Sequence, residues 1–300
     1  FITGSGATGV FILEASIPAG LRFASVFTVG NSAQLGVEEI LEHLDETFDP
    51  ATSSRVKLLY IENIRNPQKL LKHAQSLIQK GCKIAAVKAG ASEAGSRAAS
   101  SHTGALASSD VAVDALFRKA GIVRCYGRQD LMTVASIFQH PELKGKNIAI
   151  ITHAGGPAVM LTDALSKAGL NVPKIDPVKA QPLKEQLFAG SSVATGTAEH
   201  LGKIIDACNN DFDEIDAMAV IFGTPGLVRI FDVYRLLDEK MKTSKKPIYP
   251  ILPAVVTARE ELDEFLGKNR INFADEVVFG SALGRVFHAP APDTDTVSLD

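Results

Sequence analysis

The chain predicts an α/β protein made of two doubly wound parallel sheets. Three observations carry this expectation. Short apolar runs alternate with helical patterns along the 300 residues, as in successive βαβ units. The pattern is interrupted once, by the polar run His140-Pro141-Glu142-Leu143-Lys144-Gly145-Lys146. Each half opens in the same way, as a strand, a glycine-rich turn and a helix (2–15 and 150–164). The length fits about two domains, and 46 % hydrophobic residues suffice for two ordinary cores.

In the first half, Phe23–Val29, Val56–Ile61 and Lys83–Val87 predict strands. Glu38–Thr47 and Pro67–Lys80 predict helices. The second of these has Asn66 as N-cap, Pro67 at the first helical position and Gly81 past its end. A helix over Asp110–Ala120, closed by Gly121, leads to a short strand near Ile122–Cys125 and a helix over Gln129–Phe138. In the second half, Asn147–Thr152 predicts a strand and Ala158–Ala168 a helix stopped by Gly169. Strands follow at Ala217–Phe222 and Lys246–Leu252, with a helix near Leu227–Lys242 between them. Leu262–Lys268, Ile271–Phe273 and Glu276–Phe287 predict helix, strand and helix. The expected domains are therefore two flavodoxin-like units, 1–141 and 146–290. The Pro/Asp/Thr-rich tail 291–300 is expected to fray.

The composition excludes several classes. A net charge of −3 offers no basic footprint for nucleic acid. No apolar run approaches the roughly 20 residues of a membrane span. Cys82, Cys125 and Cys208 form neither a CxxC nor an even framework, which predicts a reducing, cytoplasmic setting. No His/Cys spacing predicts a metal site. Gly90-Ala91-Ser92-Glu93-Ala94 lacks the second glycine of a serine-hydrolase elbow.

Thr3-Gly4-Ser5-Gly6-Ala7-Thr8-Gly9 contains GxGxxG. Glycines there bring backbone N–H groups against an anion at a helix N-terminus. A dinucleotide would also need an acidic residue after the next strand, where Gly30-Asn31-Ser32 stands instead. An anion site at Ser5, Gly6 and Ala7 is the favoured reading; a tight turn without ligand is the other. Thr152-His153-Ala154-Gly155-Gly156-Pro157 offers a second such turn, at Ala154, Gly155 and Gly156. Two helix N-termini converging on one phosphoryl group would each contribute about 0.3–2 kcal/mol through the dipole.

His102 lies in a run of small residues, Ala98 to Ala105, away from any apolar stripe. Such a place suits a histidine that moves and reacts. In a phosphohistidine one ring nitrogen carries phosphorus, and a carboxylate best holds the other as N–H. Glu62, after the apolar strand Leu58-Leu59-Tyr60-Ile61, stands at the sheet edge where ligands of α/β folds collect. Alone, Glu62 reads as a solvated strand end and His102 as a surface histidine; their order, with both glycine turns, favours a site. His43, His73, His140, His200 and His288 lack this context and read as structural or solvent-facing.

On these residues the chain resembles NDP-forming acyl-CoA synthetases, in particular the α-subunit portion of the ADP-forming acetyl-CoA synthetases, and more distantly succinyl-CoA synthetase. The resemblance runs through Ser5–Gly9, Thr28–Ala33, Leu59–Ile64, Val87–Gly90, Ala98–Ala107, Ala120–Ile122 and Ile151–Pro157. It implies that His102 is phosphorylated, that Glu62 orients it and that the two glycine turns cradle the phosphate. The implied reaction is acyl-CoA + ADP + phosphate to acid + CoA + ATP, through an acyl phosphate. It also implies a CoA-binding domain before this chain and an ATP-grasp domain or subunit binding Mg-ADP/ATP, with a small carboxylic acid as substrate and an oligomeric assembly. Neither domain is read in residues 1–300, and the opening at Phe1 predicts that preceding sequence has been removed. Two departures stand out: His153 where the family usually carries Asn, and Ser, Thr and Gly over 189–196 where an Asn-Pro loop is expected. They leave a second reading, a non-catalytic regulatory module of the same fold, for example fused to an acetyltransferase.

Overall fold

In the computed structural model the residues described are 1–30, 34–103, 109–188, 198–224 and 230–293, with backbone alone for 101–103 and 188. The chain divides into two compact units. The first holds Phe1–Ile17, Leu21–Phe138 and the segment from His288; the second holds Pro18–Gly20 and Gln139–Phe287.

The first unit runs β1 (Ile2–Thr3), α1 (Gly6–Ser16), β2 (Phe27–Thr28), α2 (Val37–Glu46), β3 (Val56–Ile61), α3 (Pro67–Gln79), β4 (Lys83–Lys88), α4 (Glu93–Thr103), α5 (Asp110–Ala120), β5 (Val123–Cys125) and α6 (Arg128–Phe138). All strands are parallel, in the order β2-β1-β3-β4-β5. This is the flavodoxin-like winding. Alternation along β3 and β4 sorts the two faces. Leu59, Ile61, Ile84 and Ala86 pack with Leu41 of α2, Leu70 and Leu77 of α3 and Phe117 of α5. Tyr60 and Glu62 therefore belong to the opposite face, where α1 and α6 lie together. Asn66 caps α3 by accepting from the Lys69 N–H at 3.0 Å, as its position predicts.

The second unit runs β6 (Ile148–Thr152), α7 (Gly155–Lys167), α8 (Pro177–Phe188), α9 (Ala198–Asn210), β7 (Ala217–Ile221), α10 (Phe231–Thr243), β8 (Ile248–Ile251), α11 (Arg259–Gly267) and α12 (Glu276–Phe287). Its parallel sheet is β6-β7-β8. Single parallel bridges extend it at both edges, Asn147 to Asn171 and Ile251 to Phe273. The spatial order repeats that of the first unit, with the two outer strands reduced to one pair each. Helices α7 and α12 pack against each other. A Cβ on Gly284 would lie 2.4 Å from the Ala168 Cβ and 2.6 Å from its carbonyl, so only glycine fits.

Several sequence expectations change. Phe23–Val29 shortens to β2, because its partner β1 offers only two residues to the ladder. Ile271–Phe273 is a bridge and not a strand. Helix α8, with Pro182 inside it and no apolar stripe, is not signalled by periodicity. His140 sits in the second unit's aromatic cluster, 5.0 Å from Tyr249 and 5.5 Å from Phe273 between ring centres. The tail does not fray at 291–293. The Asp293 N–H donates to the Lys119 carbonyl at 3.0 Å, Gln75 donates to the Asp293 carbonyl, and Pro292 lies against Gly121. The loop 189–196 and the predicted helix start at 227–229 lie outside the described residues. Among the described residues no helix is long and apolar enough to cross a membrane.

Candidate functional site

The first glycine turn is held by its own side chains. The Thr3 hydroxyl donates to the Ser5 carbonyl at 2.9 Å and accepts from the Ser5 N–H at 3.1 Å. Ser5 then caps α1, its hydroxyl accepting from the Thr8 N–H at 3.3 Å. The Gly4 N–H donates to the Tyr60 carbonyl at 3.1 Å, which ties the turn to the end of β3. Gly6 and Ala7 remain exposed at the helix start, where unpaired N–H groups and the dipole favour an anion.

Beside this turn stand Tyr60 and Glu62. The Tyr60 hydroxyl donates to Glu62 Oε1 at 3.4 Å, and Thr8 reaches the same hydroxyl from α1. Burial pushes the Tyr60 phenol up, and the Glu62 charge adds to this, so it stays protonated and able to donate. The sequence points to Glu62 but passes over Tyr60. The available signal is the spacing of two along a strand, which puts both side chains on one face.

On the other face, a charged group holds the start of α5. Arg124 of β5 pairs with Asp110 and Asp114. Lys88, at the end of β4, is only 5 % exposed. Burial lowers its pKa, while Asp110 and Glu62 pull the other way. Lys88 is legible in sequence only as a charge closing an apolar strand. Between β4 and α4 the chain turns at Gly90 (φ 74°), against which Ala99 of α4 packs.

His102 stands in the last turn of α4. The sequence alone predicts no helix over this run of small residues. Glu93–Thr103 forms a helix, started by Ser92, whose hydroxyl accepts from the Gly95 N–H at 3.0 Å, and braced by an Arg97–Glu93 pair one turn apart. Its alanines favour a helix even without an apolar stripe. The His102 side chain, and Gly104 and Ala105 beyond it, lie outside the described residues.

The second turn uses the same device. Thr152 Oγ1 donates to the Ala154 carbonyl at 3.3 Å and accepts from its N–H at 3.0 Å. Ala154 gives α7 no side-chain cap. A Cβ on Gly155 or Gly156 would meet nothing within 4 Å, so both face open space. The His153 ring lies on Phe222 at 4.3 Å. That partial desolvation lowers its pKa, which leaves the ring neutral at pH 7. Among the described residues no group of three or more His, Cys, Asp or Glu side chains could hold a metal ion.

Each of the two flavodoxin-like units thus carries a threonine-held glycine turn at the C-terminal end of its first strand. Residues 1–138 match the succinyl-CoA ligase like flavodoxin domain. The chain is a homologue of the α subunits of ADP-forming acetate–CoA ligases. It is 34 % identical over 187 residues to the α subunit of acetate–CoA ligase (ADP-forming) II of Pyrococcus furiosus, covering 62 % of this chain and 40 % of that subunit. It is 29 % identical over 280 residues to the α subunit of form I from the same organism, covering 90 % and 59 %. The chain thus spans between two fifths and three fifths of these relatives. Among solved structures, the acetyl-CoA synthetase 1 of Ca. Korarchaeum cryptofilum, in complex with phosphate and ADP, matches with a TM-score of 0.80 at 24 % identity, covering 96 % of this chain and 63 % of that one. That likeness shows the fold.

Proposed function

We propose that this chain is the phosphohistidine-carrying part of an acyl-CoA synthetase catalysing acyl-CoA + ADP + phosphate ⇌ acid + CoA + ATP. Phosphate attacks the thioester carbonyl, CoA leaves, and an acyl phosphate forms. A ring nitrogen of His102 then attacks the phosphorus, the acyl–O–P bond breaks, and the acid departs as its carboxylate. The β-phosphate oxygen of ADP takes the phosphoryl group from the ring and regenerates His102. Glu62 holds the second ring nitrogen as N–H and offsets the positive charge that develops on the ring. The N–H groups of Ser5 and Ala154 already donate to the Thr3 and Thr152 hydroxyls, whereas Gly6 and Ala7 at the first turn, and Gly155 and Gly156 at the second, can each offer backbone N–H groups to phosphoryl oxygens. Such charge-assisted bonds contribute about 1.5–3 kcal/mol each before desolvation.

The observation that carries this reading is the juxtaposition at one sheet edge of an exposed helix N-terminus and a carboxylate, Gly6–Ala7 beside Tyr60 and Glu62. CoA and Mg-nucleotide would bind to further domains or a partner subunit. Exposed apolar side chains at matching turns of the two leading helices, Val10 and Phe11 on α1 and Val159 and Met160 on α7, offer surface for such parts to cover. The test is phosphorylation. With the nucleotide-binding part and Mg-ATP, the chain should take up one acid-labile, base-stable phosphate, and His102→Ala should abolish it. Full labelling of His102→Ala would end the proposal, and no labelling of the wild type would favour the regulatory module.

A further inference from the structure

We infer that Tyr60 is a positioning residue that fixes Glu62 against the first turn of α1, so that carboxylate and phosphate cradle move as one piece. The inference rests on the proposed site and deepens it. Three contacts made by this one residue carry it. Its carbonyl accepts the Gly4 N–H at 3.1 Å, inside the glycine turn. Its hydroxyl donates to Glu62 Oε1 at 3.4 Å. The same hydroxyl meets Thr8, whose N–H is the one capped by Ser5. The backbone thus sets the turn, and the side chain bridges the helix to the carboxylate.

The strand geometry explains why this position can do so. Thr3 of β1 pairs in register with Tyr60, so the turn leaving β1 passes beside Tyr60. Glu62 follows two residues later, on the same face. Glu62 is partly covered and follows the last ladder residue, and ordering its side chain costs rotamer entropy that a hydrogen bond helps to offset. In the second unit the residue in register with Thr152 is Ile221, which has no hydroxyl, and two residues on stands Gly223. Tyrosine and glutamate occur together in the unit where the site is proposed and are both replaced in the other.

The test is a double-mutant cycle on the full chain with its nucleotide-binding part, read as the initial rate of acid-labile, base-stable labelling from Mg-ATP. Tyr60→Phe removes one oxygen, and the ring should still pack. Labelling should fall about tenfold while the melting midpoint stays within a degree or two. In a Glu62→Ala background the same change should cost less than about twofold, because its effect passes through Glu62. Thr8→Val, which breaks only the other half of the bridge, should lower labelling less than Tyr60→Phe and be equally silent without Glu62. Wild-type labelling in Tyr60→Phe, or losses that multiply in the Glu62→Ala background, would overturn the inference. Neither result touches the larger proposal, which fails separately if His102→Ala remains labelled.

Discussion

The two glycine turns share a frame but not the chemistry beside it. Both are clamped by a threonine at the strand end that bonds residue i+2 through its hydroxyl, Thr3 to Ser5 and Thr152 to Ala154. Both open a helix directed away from the C-terminal edge of a parallel sheet. The first is capped by a side chain and stands beside a tyrosine and a carboxylate. The second has no side-chain cap, two glycines facing open space, and a neutral histidine resting on a phenylalanine. On the proposed reading the first turn would hold an anion and steady a cationic ring beside it, and the second would hold an anion alone.

The largest effect that tests this asymmetry is at the carboxylate. Glu62→Gln keeps the shape and still accepts from Tyr60, but it cannot balance an imidazolium. Phosphohistidine formation should fall by about a hundredfold or more. The position equivalent by register in the second unit, Gly223, should tolerate alanine within about twofold. A Cβ there would lie 3.6 Å from the Ala254 Cβ, an ordinary contact. Equal losses at the two positions would erase the distinction between the turns.

Much of this arrangement is legible in the sequence, and the illegible part has identifiable causes. The strands at β3, β4, β6 and β7 are readable because they are continuous apolar runs, as parallel strands covered on both faces must be. Helix α3 is readable from its Asn-Pro start. The edges are not, since a strand that gives one or two residues to a ladder leaves no period to detect; β2 and the bridge at Phe273 are such cases. Helix α4 escapes because it has no apolar stripe, although Ser92 and the Glu93–Arg97 pair hold it locally. In the site, Glu62 and the glycines are marked by residue type. Tyr60 is not, because its role depends on register with Thr3, a relation between strands more than fifty residues apart.

A smaller effect separates fold from ligand at the second turn. Gly155 stands at the first position of α7, is not held at a positive φ, and has open space where a Cβ would go. Gly155→Ala should therefore fold as well as the wild type and gain up to about 1 kcal/mol, since alanine loses less chain entropy on folding. If a phosphoryl group approaches that amide, the new methyl should obstruct it and lower labelling about tenfold. A variant that is more stable and less easily phosphorylated would mark the glycine as kept for ligand approach. Undiminished labelling would confine the anion to the first turn.

The smallest effect is expected at His153, where the two turns differ most visibly in sequence. Its ring contacts Phe222, and its pKa is lowered by that desolvation alone, so it brings no charge to the turn at pH 7. His153→Asn should change labelling less than twofold. The stability profile carries the sign. The folded state prefers the neutral ring, so the unfolded chain binds the proton more readily as pH falls below about 6.5. Wild-type protein should lose slightly more stability than His153→Asn between pH 7 and pH 5, and the two should run parallel above pH 7. Chemical denaturation across this range, paired with labelling at each pH, checks both statements. If labelling of the wild type rose on the acid side and that of His153→Asn did not, the second turn would hold a titrating partner of its own, and the asymmetry between the two units would have to be redrawn.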